Sequence, residues 1–252
     1  MKLPVFTTFV IILTAFGGVV SAQQKKTLPS KPRSNFTVRS PEIGQSAVVI
    51  DETLSVLRET PSLFSPSIQR MRRGRNVRIL GVSEADGVKF YKVTASPANF
   101  GWVQADAVFG KFRPSDEQRL ASLVQATDGF DRIELAVAFF RLYPNSKFRP
   151  PILLLYGDVI EEVAAKLSKD ATRQLKRPEM AASAAPLHSY YLNYVSLDRY
   201  RKLGITFLFN SATKEFHYDG ASWKEIVMKY ANSVDALEAK KRLDSLKVKM
   251  GN

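Results

Sequence analysis

Between Ser46 and Gly110 the apolar residues come in short runs rich in Val, Ile and aromatics, separated by turn-forming residues. Ala47 to Ile50, Val77 to Leu80, Phe90 to Val93 and Gly101 to Val103 are the predicted strands, spaced as in a small β-barrel. Ser83-Glu84-Ala85-Asp86-Gly87 and Ser96-Pro97-Ala98-Asn99 supply turns between them. The alternation in Val77-Arg78-Ile79 and in Tyr91-Lys92-Val93 turns one face inward and sends the basic side chains out.

The pattern changes at Phe112-Arg113-Pro114-Ser115. Ser115-Asp116-Glu117-Gln118 reads as a capping box opening a helix with Leu120, Leu123 and Val124 on one side, so a domain boundary is expected near Lys111. A second helix carries Ile133, Ala136, Val137 and Phe140 and stops at Tyr143-Pro144. Pro150-Pro151 begins a longer one, with a stripe of Ile152, Leu155, Tyr156, Val159, Val163 and Leu167. Ser168 to Pro186 shows no clear face and predicts a loop or irregular connection. A tyrosine-rich helix with Tyr190, Tyr191 and Tyr194 then runs to Gly204, followed by a β-hairpin from Ile205–Phe209 and Glu215–Tyr218. Two helices close the chain, about Ala221 to Tyr230 and Val234 to Leu246, the second with Ser233 as its N-cap. Phe140-Arg141-Leu142-Tyr143-Pro144-Asn145-Ser146 is echoed by Val227-Met228-Lys229-Tyr230-Ala231-Asn232-Ser233, as in stacked helical hairpins.

The start of the chain has a different grammar. Lys2, the uncharged stretch Leu3 to Val20 and the small residues Ser21-Ala22 follow the order of a secretory signal, with cleavage expected after Ala22. Residues 23–45 are polar, basic and interrupted by proline, which predicts a flexible tether. Residues 46–110 are then the barrel, and residues 114–250 the helical domain. The mature protein is expected to be soluble and exported, periplasmic or extracellular; an uncleaved N-terminal membrane anchor is the alternative. The net charge is +13 and falls to +12 without the signal, so the mature protein is the basic part. Outside the cytoplasm its anionic counterparts are wall polymers, lipid head groups or acidic proteins rather than nucleic acid.

From Leu54 to Phe109 the chain resembles a bacterial SH3 domain: an aliphatic-arginine pair (Leu57-Arg58), Pro61, Gly74, a Tyr-x-Val strand (Tyr91-Lys92-Val93) and Gly101-Trp102-Val103 stand in that family's order. Phe140 to Asp158 and Trp223 to Leu243 resemble tetratricopeptide-like hairpins, which often carry a Tyr-Pro-Asn-Ser turn. Together these resemblances imply a multi-domain chain, an all-β SH3-like barrel followed by an all-α helical-hairpin domain, possibly with a small β-hairpin.

Bacterial SH3 domains commonly accompany wall hydrolases, so enzyme chemistry is tested residue by residue. There is no cysteine, which removes disulfides, thiolate metal sites and a cysteine nucleophile. Only His188 and His217 exist, in no metal-ligand spacing, and a structural role is expected for each. No Gly-x-Ser-x-Gly elbow or nucleotide loop is present. Glu161-Glu162 are adjacent on a helix and diverge by about 100°, so they are not expected to converge on one bond. Glu161, Glu162, Asp198, Asp219 and Glu225 are expected on separate solvated surfaces. No metal or cofactor is therefore expected.

Binding chemistry remains. Arg70, Arg72, Arg73, Arg75 and Arg78 crowd around Gly74, and guanidinium forks suit carboxylates and phosphates. Replacing Arg72, Arg73 and Arg75 by glutamine is expected to weaken envelope association and leave the fold intact. Tyr91, Phe100 and Trp102 suggest an aromatic groove for an extended peptide, with Trp102 expected to be the one that turns into the core. The expected function is a non-enzymatic envelope adaptor, its SH3-like part on a wall polymer or peptide and its helical part on a protein partner. A second reading is an accessory subunit, or degenerate relative, of a peptidoglycan hydrolase.

Overall fold

The computed structural model describes residues 40–96, 99–174 and 186–251. The expected signal (1–22), the tether up to residue 39, the Pro97-Ala98 turn and residues 175–185 of the expected loop lie outside them.

Strands come first and helices second. The strands are β1 Ser46–Val49, β2 Val56–Arg58, β3 Ser67–Arg70, β4 Asn76–Ala85, β5 Val88–Ser96, β6 Asn99–Gln104 and β7 Val108–Phe109. They form one antiparallel sheet in the order β3-β2-β6-β5-β4-β1-β7. The long hairpin β4-β5 pairs up to Ala85↔Val88, so its turn is only Asp86-Gly87, tighter than the five-residue turn expected. Both residues have positive φ, 53° and 71°. A two-residue Asp-Gly connection suits this conformation because its twist matches that of the strands. Val77, Ile79, Tyr91, Val93 and Val103 fill the inner face, while Arg78 and Lys92 are exposed, as the alternation predicts.

Residues 40–45, inside the stretch read as a tether, pack onto the sheet. The Gly44 N–H donates to the Ile79 carbonyl at 2.8 Å, and the Ile79 N–H to the Gln45 carbonyl at 2.9 Å. Glu42 pairs with Lys89, and that bond draws its carboxyl down to about 2.

The helices are α1 Ser115–Ala126, α2 Gly129–Leu142, α3 Arg149–Gln174, α4 Leu187–Leu192, α5 Asp198–Arg201, α6 Ala221–Lys229 and α7 Val234–Met250. Strands β8 Phe207–Asn210 and β9 Glu215–Tyr218 form the expected hairpin. Three readings need correction. Helix α3 continues through Ser168, where a loop was expected, because Leu167, Ser168 and Ala171 still face a core. The tyrosine-rich segment is two short helices joined by a 3-10 turn at Val195–Leu197. The capping box does not form: Pro114 is the N-cap, and Asp116 turns inward instead.

The echoed turns are alike in structure. Tyr143 and Tyr230 each end a helix with φ near −126° and −129°. In each, a serine N–H returns to the tyrosine carbonyl, Ser146 to Tyr143 at 3.2 Å and Ser233 to Tyr230 at 2.8 Å.

The described residues belong to one compact unit. The alternation along β1 explains this: Ala47 and Val49 enter the sheet's own core, whereas Val48 and Ile50 point the other way and pack, with Phe109, against Leu120, Val124, Phe139 and Ile152. The boundary at Lys111 is therefore crossed by a shared core. A third core joins α3 to the hairpin and to α6 and α7 through Ile160, Phe216, Trp223, Ile226 and Leu246. Among the described residues no helix is long and apolar enough to cross a membrane.

Candidate functional site

Strand register decides which of the sequence-predicted residues can act together, because directly opposed residues of antiparallel strands share a face. Arg78 opposes Thr94, and Thr94 opposes Phe100. In the next row, Lys92 opposes Trp102, and Trp102 opposes Arg58. These rows are two residues apart on β5 and β6, so they lie on one face, the one turned away from Tyr91, Val93 and Val103. The result is an outer face with two aromatic rings and three cations.

Phe100 is 51% exposed, whereas Trp102 is half-buried. Gly81 leaves room beneath the indole: a Cβ there would meet the Trp102 ring at 3.9 Å. Gly101 serves the same strand differently, since a Cβ would strike the Leu57 side chain at 2.6 Å and the Arg58 carbonyl at 2.8 Å. The Gly-Trp-Val motif thus lets β2 close against β6 while presenting Trp102 outward. The side chains of Arg78 and Lys92 have no ion-pair or hydrogen-bond partner among the described residues.

Tyr91 does not belong to this face. It is fully buried, and Trp102, expected inward, is on the other side of the sheet. The reason is period two: Tyr91 opposes Val103, and the neighbour of an inward valine must point out. Burial pushes the Tyr91 hydroxyl up, with Arg113 and Lys89 opposing.

The arginine cluster divides into working parts and free ones. Arg73 ties the sheet to α2, reaching Asp131 at 3.2 Å and Glu134 at 3.1 Å while its Nε donates to the Ile50 carbonyl. Arg75 donates to the Ala95 carbonyl at 3.0 Å, and Arg70 to the carbonyls of Glu52 and Thr53. Only Arg72 and Arg78 of the five are exposed without a partner among the described residues. Of Arg72, Arg73 and Arg75, expected to act together on an anion, Arg73 and Arg75 are engaged within the protein and Arg72 is exposed.

His188 is exposed in the first turn of α4. His217, on β9, is buried and borders a half-open groove of about 540 Å³ between α3, β9 and α7. Its Nδ1 lies 2.9 Å from the Glu161 carboxylate. Glu161 also accepts the Tyr218 N–H at 2.8 Å and Lys249 Nζ at 2.7 Å. Burial pushes this carboxyl up, but those hydrogen bonds outweigh it and hold the group below the ordinary glutamate range. Glu162 borders the same groove, so the two adjacent carboxylates are not on separate surfaces as expected. Asp219 and Glu225 border a different recess, where Glu225 pairs with Arg149, and Asp198 pairs with Arg201. Among the described residues no three His, Asp or Glu side chains are grouped to hold a metal.

Sequence reasoning missed this groove because its residues are scattered from Asp158 to Lys249. One signal was available: His217 stands between two aromatics of a predicted strand, and an imidazole buried there needs a partner. Comparison with protein families, with curated proteins and with solved structures finds no match to the chain.

Proposed function

We propose that this protein is an exported, non-enzymatic adaptor of a bacterial cell envelope. Its sheet is an SH3-like barrel that binds an anionic wall polymer or peptide, and its helical hairpins, of tetratricopeptide type, hold a protein partner. The observation that carries this reading is the outer face of β4, β5 and β6, where Phe100 and Trp102 stand among Arg78, Lys92 and Arg58. Aromatic rings give an extended chain flat surfaces to lie on, and the two unpaired cations give an anionic one its charge complement. The core shared across Lys111 supports the adaptor role, since it holds this face rigidly against the helices.

Retention of the full chain on purified sacculi, compared with the Arg78→Glu/Lys92→Glu variant, tests the proposal. Binding should be strong at low salt, fall steeply as salt rises and be lost in the variant. Equal retention of both proteins, or retention indifferent to salt, would remove the wall-binding part.

A further inference from the structure

In a chain of net charge +13 the groove beside His217 is an acidic island. Asp158, Glu161, Glu162 and Glu215 border it against only Arg242 and Lys249. Not all of these charges are free. Arg242 holds Asp158 with two bonds, of 3.0 and 3.1 Å, and Lys249 holds Glu161. Glu162 makes no ion pair or hydrogen bond among the described residues, and Glu215 is exposed, so the groove keeps two uncompensated carboxylates.

A second observation concerns the imidazole itself. Glu161 is ionised and can only accept, so the hydrogen between it and His217 sits on Nδ1. That leaves Nε2 as the ring nitrogen turned away from Glu161. His217 is 6% exposed, and this nitrogen has no hydrogen-bond partner. Buried polar atoms without a partner are uncommon in folded proteins. Glu215 Oε2 stands 3.9 Å from Nε2, beyond hydrogen-bond reach. His217 and Glu215 are two residues apart on β9 and share a face, so the unpartnered nitrogen and an exposed carboxylate border the groove together.

We propose that this groove is a binding site for an organic cation, an ammonium or guanidinium group, held by Glu215 and Glu162 beside the unpartnered Nε2 of His217. Both carboxylates lack donors, which an ammonium supplies in threes and a guanidinium in fives. Arg242 and Lys249 fix the depth of the site by neutralising the inner carboxylates, so selectivity for charge rests with the rim. The site lies on different residues from the outer face of the sheet and takes the opposite charge, so either can fail without the other.

The test titrates the full chain at low ionic strength into a fluorescein-labelled peptide, Gly-Lys-Gly-Lys-Gly, and reads anisotropy. The wild-type protein should bind saturably, although its net charge repels the probe. The same peptide with both lysines Nε-acetylated should not bind. The Glu162→Gln/Glu215→Gln variant alters only exposed carboxylates and should bind at least roughly tenfold more weakly, the size of one charge-assisted bond. Displacement of the peptide by free cadaverine assigns the site to small amines, and failure of displacement assigns it to a peptide side chain. Absence of saturable binding, equal binding of the acetylated peptide, or an unchanged affinity in the rim variant would each overturn the proposal.

Discussion

Arg113 and Asp116 meet at 2.9 Å where the strands give way to the helices, and the aspartate is completely buried. The same carboxylate accepts the Gly110 N–H at 3.0 Å, and Arg113 donates onward to the carbonyls of Ala105 and Val108. The guanidinium also lies about 6 Å from the rings of Tyr91, Phe109 and Phe112. A buried pair of this kind is more costly to break than to have been omitted, because a single partner leaves an uncompensated charge.

Asp116→Ala should therefore destabilise the protein by about 3–5 kcal/mol. Urea unfolding followed by circular dichroism measures it. A loss under about 1 kcal/mol would show that the pair does not pin the junction.

The arginines around Gly74 should separate by role. Arg73→Gln removes a partner of Asp131 and Glu134 and should cost about 1–3 kcal/mol of stability. Arg72→Gln, on an exposed side chain, should stay within about 0.5 kcal/mol. Equal melting temperatures for the two variants would contradict the division.

Gly157 on α3 has no room for a side chain, since a Cβ would come within 2.6 Å of the Ser222 hydroxyl and closer still to the Trp223 indole. Gly157→Ala gains helix propensity, yet overpacking of this contact should win and cost about 1–3 kcal/mol net. Thermal melting checks the sign, and a stabilised variant would show that α6 can move aside.

The Glu161 carboxyl is depressed by its hydrogen bonds from Lys249, the Tyr218 N–H and His217, against burial, which pushes it up. A group depressed in the folded state contributes stability that is present above its unfolded value, about 4.3, and lost as pH falls through the folded one. Glu161→Gln should thus be destabilised at pH 7 and converge on the wild type in strong acid. A difference that held constant from neutral to acid pH would assign the loss to packing.

Much of the fold was legible because it repeats a period. Val77 and Ile79, or Ile152, Val159 and Val163, announce a buried face every second or every third to fourth residue. Strands β2 and β3 announced nothing: Val56–Arg58 is three residues long and Ser67–Arg70 is largely exposed, so neither carries a pattern. The long hairpin β4-β5 was readable as strands, yet which ring faced out depended on register, and Trp102 was misplaced where Val103 beside it held the answer. The groove was illegible for another reason. Glu161, His217 and Lys249 meet only after α3, β9 and α7 have packed, and each alone looks like an ordinary surface or core residue.

The inward and outward alternation of β1 has a consequence for how the molecule comes apart. Val48 and Ile50 belong to a core whose other half is supplied by α1, α2 and α3, so a chain ending at Lys111 would leave those side chains and Phe109 bare to water. Such a fragment should aggregate or fold poorly, and the intact protein should lose its strands and its first three helices in a single cooperative transition. Heat or denaturant would then treat as one object what the amino-acid pattern divides into two.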